Sequence, residues 1–238
     1  MVQTRGTLDR ELTQMKDDVL RLGSMVEQAV RDSTRALKDR DIQLAHQVIA
    51  GDEEINALRY AIEEHCLRII ATQQPVAGDL RTIVAAMHIA IDMERMADHA
   101  EGTAQLVTRM AGEPLLKPLV DIPRMADIAC EMLHASLDAF LARDPEAAIA
   151  VASRDDEIDQ LYDQVLRELL TYMLQDPRTI NRATYLLWVA HNLERIGDRI
   201  TNISERVIFV ATGKLTELHG SWDEQHPPPA TGVIGPED

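Results

Sequence analysis

Aromatic residues are nearly missing from this chain: two Phe, two Trp and four Tyr in 238 residues. Gly and Pro avoid most of its length while Leu, Ala, Glu, Arg, Met and Gln predominate, a composition that favours helix and predicts no sheet. Basic residues are short as well, with 24 Lys and Arg against 40 Asp and Glu, a formal charge of −16. That balance excludes nucleic acid as a partner, because affinity for a phosphate backbone comes from clustered cations, and no basic stripe interleaved with aromatics occurs. An anionic leaflet would be repelled too, so no direct lipid binding is expected. The longest apolar run, residues 83–90, is interrupted by His88 and is far too short to span a bilayer. With a polar start over residues 1–6, a cytoplasmic protein without signal or anchor is expected. The only cysteines, Cys66 and Cys130, lack Cys-x-x-Cys spacing and read as small buried hydrophobes. A Gly-rich phosphate loop, a Gly-x-Ser-x-Gly elbow and a Lys-based nucleotide motif are all missing. Binding of phosphate or ATP by the chain alone is therefore not expected.

What the chain does have is 45% apolar residues, enough for a sizeable core. Leu8, Leu12, Met15, Val19, Leu22, Val26, Ala29 and Leu37 recur in steps of three and four, which predicts a long amphipathic helix. Asp41 can cap a short helical piece, and Gly51 and Asp52 are expected to restart a second long helix running to about Gln74. Pro75 and Gly78 mark a tight turn, and a third helix runs from Asp79 to about Ala111. Pro114 and Pro118 then break the pattern, after which it begins again. Arg40-Asp41 recurs as Arg143-Asp144, Asp52 as Asp155 and Ile55 as Ile158, all displaced by 103 residues. Beyond the turn at Asp176-Pro177, Glu94, Arg95 and Asp98 recur as Glu194, Arg195 and Asp198, displaced by 100. The expected fold is all-α, an internal duplication giving two tandem three-helix bundles: residues 1–112, a linker at 113–118, residues 119–213, and a disordered tail at 214–238.

The repeated Glu-Arg-x-x-Asp stretches carry the chemistry. At about 100° per residue, Glu194, Asp198 and Asn202 fall within about 80° of one another, with Glu205 in the same stripe and the apolar residues on the opposite side. The expected result is a ridge of oxygen ligands facing outward. Counting along each helical hairpin from its turn, Asp155 is level with Asp198 and Asp159 with Glu194; in the first half Asp52 is level with Glu101 and close to Asp98. Carboxylates gathered at one height repel unless a proton or cation intervenes, and oxygen-only ligation suits iron, manganese or magnesium, with zinc possible. The candidate metal residues are Asp52, Glu94, Asp98 and Glu101, then Asp155, Asp159, Glu194, Asp198 and Asn202. The competing reading is a solvated acidic face paired with Arg95, Arg195, Arg199 and Arg206. His65, His88, His99 and His191 read as ordinary histidines. Glu131 and His134 have the Glu-x-x-His spacing of di-iron bundles, but a second such motif is missing.

Two copies of Glu-Arg-x-x-Asp, each preceded by an acidic helix start within a duplicated three-helix chain, resemble the PhoU family of phosphate-specific transport accessory proteins over residues 8–213. The resemblance implies two in-line three-helix bundles, multinuclear iron or zinc clusters on their surface, and homodimers. It also implies negative regulation of the phosphate-starvation response, as an adaptor between a phosphate ABC transporter with its ATPase and a membrane sensor histidine kinase. The family motif falls on Glu94, Asp98, Glu194, Asp198, Asp155 and Asp159, while Asn56 departs from the acidic form. A metal-dependent oxidase or hydrolase using the same carboxylates is the alternative from another class; it needs an enclosed pocket with open coordination positions. A scaffold whose acidic ridges only keep it soluble is the third reading.

Overall fold

A computed structural model describes residues 2–218, with side chains from residue 6. Among these residues the secondary structure is entirely helical: α1 (Val2–Asp39), α2 (Ile42–Gln73), α3 (Ala77–Met110), α4 (Asp121–Ala142), α5 (Pro145–Ala152), α6 (Asp155–Gln175) and α7 (Ile180–Thr212). A single 3-10 turn, Pro177–Thr179, leads into α7. None of the described helices is long and apolar enough to cross a membrane.

The duplication governs how helices end and restart. Arg40 and Arg143 both leave their helix in the left-handed conformation (φ 58° and 55°). Asp41 and Asp144 then cap the next helix, their carboxylates accepting from the amides of Leu44 and Ala147 at 3.0 Å. Even the buried serines match: Ser33 and Ser136 each donate to the carbonyl three residues back.

The halves differ where the second helix was expected to restart. In the first half α2 runs unbroken through Gly51, so the short piece predicted after Asp41 does not separate. A lone helix-interior glycine costs only about 1 kcal/mol, which packed neighbours absorb. In the second half α5 does end, at Ala152. There the Ser153 hydroxyl bonds back to Ala150, the Arg154 amide takes the Val151 carbonyl, and three acids, Asp155, Asp156 and Glu157, open α6.

The bundles are not in line; they lie side by side. α3 and α7 run antiparallel along their length, with Arg81 beside Val210, Asp92 beside Asn202, and Thr103 beside Asn192. α1 and α4 form the second antiparallel contact, Arg31 meeting Asp127 and Cys130 meeting Glu27. Their approach depends on Gly23, where an added Cβ would stand 2.3 Å from Leu137 Cδ1. Gly23→Ala should therefore cost about 1 kcal/mol net, since displacing Leu137 outweighs the gain in helix propensity. A lower urea midpoint at unchanged slope is the expected result; an unchanged midpoint would mean that Leu137 rotates away freely.

The chain between α3 and α4 is held down by buried Lys117, which pairs with Glu168 on α6. Cys66 and Cys130 are buried free thiols, as their sequence setting implies. Of the tail expected at 214–238, residues 219–238 lie outside the described residues. Residues 214–218 double back, the Leu218 amide donating to Glu205 at 2.8 Å.

Candidate metal centre

Hairpin geometry brings each predicted acidic set together. In the second half, Asp155 and Asp159 open α6 beside Glu194 and Asp198 of α7. The Asp155 carboxyl is pushed up to about 8, first by burial, then by Asp159, Asp198 and Glu194. Glu194 is raised to about 7 by burial and by Asp198, against the opposing charge of Arg195. In the first half, Asp52 rises to about 6 through burial, then through Glu101, Asp98 and Glu94 of α3. Glu94 is also raised, by burial and by Asp98.

The oxygens themselves are incompletely satisfied. Asp52 Oδ1, Glu94 Oε2, Asp155 Oδ1 and Glu194 Oε2 are buried and have no hydrogen-bond partner. Glu94 Oε2 has only Arg95 Nε at 3.6 Å, and Glu194 Oε2 only His191 Nδ1 at 3.2 Å, outside hydrogen-bond geometry. His191 is itself held toward its neutral form by burial and Arg195. The other Asp52 oxygen accepts from Asn56 at 2.7 Å, and the other Asp155 oxygen accepts from Thr201 at 3.3 Å. Unpaired buried carboxylate oxygens are costly, and a hard cation is one group that satisfies them. Oxygen-only donors on facing helices thus fit a metal in kind. Among the described residues, however, no three His, Cys, Asp or Glu already converge as the ligands of one ion.

One expectation changes. The ridge does not face outward: Glu94, Asp98, Glu194 and Asp198 are half-buried, because α2 and α6 lean over the acidic side of their hairpins. The Asn202 amide crosses the seam between bundles and donates to Asp92 of α3 at 3.3 Å. At Asn202 the helical stripe has rotated from α6 toward α3, a neighbour that lateral packing alone supplies. Glu131, whose spacing to His134 lacks a second copy, pairs with Arg154, while His134 faces Asp138. Buried His65 is bound by Glu11 at 2.7 Å.

Sequence reasoning missed Gly197. An added Cβ there would stand 2.3 Å from Asp155 Oδ1 and 3.1 Å from Ile158 Cδ1, so this glycine admits the Asp155 carboxylate against α7. A glycine in the middle of an apolar helical pattern was the available signal, since such residues often mark a close approach.

The PhoU domain model matches this chain twice, over residues 19–107 and 122–207, once on each half of the duplication. The chain belongs to the PhoU family. A phosphate-specific transport system accessory protein PhoU homolog of Aquifex aeolicus is 41% identical over 210 residues, covering 88% of this chain and 95% of the relative. Its counterpart in Caulobacter vibrioides is 44% identical over 206 residues, covering 86% and 89%. Among solved structures, PhoU of Pseudomonas aeruginosa superposes with a TM-score of 0.82 at 37% identity, covering 87% of this chain and 99% of the other. The phosphate transport system regulatory protein PhoU of Streptococcus pneumoniae gives 0.82 at 32% identity, covering 89% and 100%. These PhoU structures share the all-α architecture, so the side-by-side bundles are a family fold.

Proposed function

We propose that this chain is a non-enzymatic, cytoplasmic regulator of phosphate uptake. It serves as an adaptor between a phosphate ABC transporter ATPase and a sensor histidine kinase, and it restrains the phosphate-starvation response. The observation that carries the placement in phosphate transport is near-full-length similarity to phosphate-specific transport accessory proteins. The non-enzymatic reading follows their description as accessory proteins. Homodimerisation belongs to the same reading and rests on the family resemblance.

The orphaned carboxylate oxygens support a further element, iron or zinc clusters, with manganese or magnesium as alternatives. Asp52, Glu94, Asp98 and Glu101 would hold metal in one half, and Asp155, Asp159, Glu194 and Asp198 in the other. Bound metal would supply positive charge that lets all these carboxylates ionise together. The chain's own part is to hold them on rigid hairpins and shield them partly from water.

Binding of the purified protein to transporter ATPase and to kinase, immobilised separately, tests the adaptor reading. Metal-loaded protein should bind both. A variant carrying Glu94→Gln, Asp98→Asn, Glu194→Gln and Asp198→Asn, with helicity intact, should bind at least one of them roughly tenfold more weakly, a loss of about 1.4 kcal/mol. Failure of the metal-loaded protein to bind either would overturn the adaptor reading. Tight orthophosphate binding by the isolated chain would contradict the reading of it as an adaptor that binds no phosphate by itself.

A further inference from the structure

The duplication offers an internal comparison at Gly51. By the 103-residue displacement, Gly51 corresponds to Arg154, Glu54 to Glu157 and Gln28 to Glu131. In the second half, Arg154 spans the cleft between α4 and α6: its guanidinium donates to Glu131 at 2.8 Å and to Glu157 at 3.3 Å. Among the described residues of the first half no side chain does this. An added Cβ at Gly51 would meet nothing within 4 Å, and the space above it is an open groove of about 370 Å³ between α1 and α2. Its floor is apolar, made by Met25, Ala29, Val48 and Ile55, while Gln28, Asp32 and Glu54 stand along it with Arg21 at their side. The volume falls within the range of small-ligand sites.

What the groove accepts follows from what fills its twin. An arginine suits such a place twice over, since its aliphatic stem covers apolar floor while its planar fork reaches acids on both walls. Both halves provide that pair of acids. Glu54 keeps the position of Glu157, and on the α1 wall the acid has moved one turn, from the position of Glu131 to Asp32. Asp32 accepts from Gln28 at 2.7 Å and pairs with Arg35, which is largely exposed and can yield to a competing guanidinium. The formal charge of −16 adds long-range attraction for a cationic segment.

We propose that the groove over Gly51 receives an arginine-bearing apolar segment of a partner protein, whose guanidinium stands on Glu54 and Asp32 as Arg154 stands on Glu157 and Glu131. The site is separate from the acidic sets and does not depend on metal. In the second half the arginine is built in, held by Glu131 and Glu157. The two halves therefore present different faces from one repeat, and only the first docks this segment.

The test uses the full chain with 13C-methyl methionine and two blocked nine-residue helical peptides of Ala and Leu, one with a central arginine and one with norleucine in its place. The Met25 methyl resonance should shift and saturate with the arginine peptide, and roughly tenfold more weakly with norleucine, the loss of one favourable charge contact. Gly51→Arg should abolish the shift by filling the groove from within, at unchanged helicity. The double variant Asp32→Asn, Glu54→Gln should weaken arginine binding toward the norleucine level, which decides the matter if Gly51→Arg does not fold. Equal binding of both peptides would reduce the site to a plain apolar groove and overturn the proposal. No Met25 shift with either peptide, or full binding by folded Gly51→Arg, would overturn it as well.

Discussion

Stripped of metal by chelator, the protein is expected to lose stability as the pH rises from about 6.5 to about 8.5. Asp155 titrates near 8 in the fold and near 3.8 in a free chain, and Glu194 near 7 against 4.5. Between those limits the folded state holds protons that the unfolded chain has released, so raising the pH favours unfolding. These raised carboxyls thus contribute stability fully present below pH 3.8 and lost as the pH passes their folded values. Below 6.5, His99 and His191 act the other way, since burial lowers both and the folded state binds fewer protons there. The window above 6.5 isolates the acids. One proton over about 1.5 pH units is worth roughly 2 kcal/mol, or about 4–8 °C in Tm for a chain of this size. Saturating manganese or zinc should flatten or reverse the trend, because a cation replaces the proton and binds better once the carboxyls ionise. Tm measured against pH, with chelator and with metal, reads both effects. A chelated protein whose Tm is flat across the window would make the acidic ridges solvated faces.

The hairpins were legible because their geometry is local. A proline-marked turn fixes the register of two helices, and counting 1.5 Å per residue then places Asp155 beside Asp198 and Asp52 beside Glu101. Burial is the first cause that raises Asp155 and Asp52, and the charges that add to it include Asp198 and Glu101, which the counting brought level with them. Lateral packing was not legible. α3 buries Ile83, Ala86, Met93 and Ala97 along with Ala85, Met96 and Thr103, faces that a three-helix bundle alone does not fill. Apolar residues so widely spread around a helix signal more neighbours without saying which. From that gap came the in-line arrangement and the outward ridge, and Asn202 bonds Asp92 across a seam no hairpin count reveals. The break after Asp41 was placed in the wrong half for a related reason. Gly51 weakens a helix by propensity, yet Arg154, held by acids on two helices, marks the place where the chain does break.

Gly197→Ala is expected to remove metal from the second half and leave the first half loaded. The two acidic sets differ at this position: α7 carries Gly197 where α3 has buried Ala97. The missing methyl lets Asp155 sink against α7, and the Asp155 carboxyl is accordingly driven further, to about 8, than the Asp52 carboxyl at about 6. A Cβ at 197 would meet Asp155 Oδ1 at 2.3 Å, so the aspartate must swing away from the helix to admit it. The crowded atom is the end of a side chain, and alanine improves helix propensity by about 1 kcal/mol, so the fold should survive with a Tm near that of the parent. Metal content should fall by about half if the sites load equally, since losing one carboxylate ligand weakens a hard-cation site severely. The chelated variant should also lose most of its Tm slope above pH 6.5, because Asp155 returned to water titrates as a free carboxyl does. Those two readouts separate positioning from simple destabilisation, which would lower Tm at every pH alike. Full metal content with an unchanged slope would remove Gly197 from the site and place any metal on the exposed edge of the carboxylates.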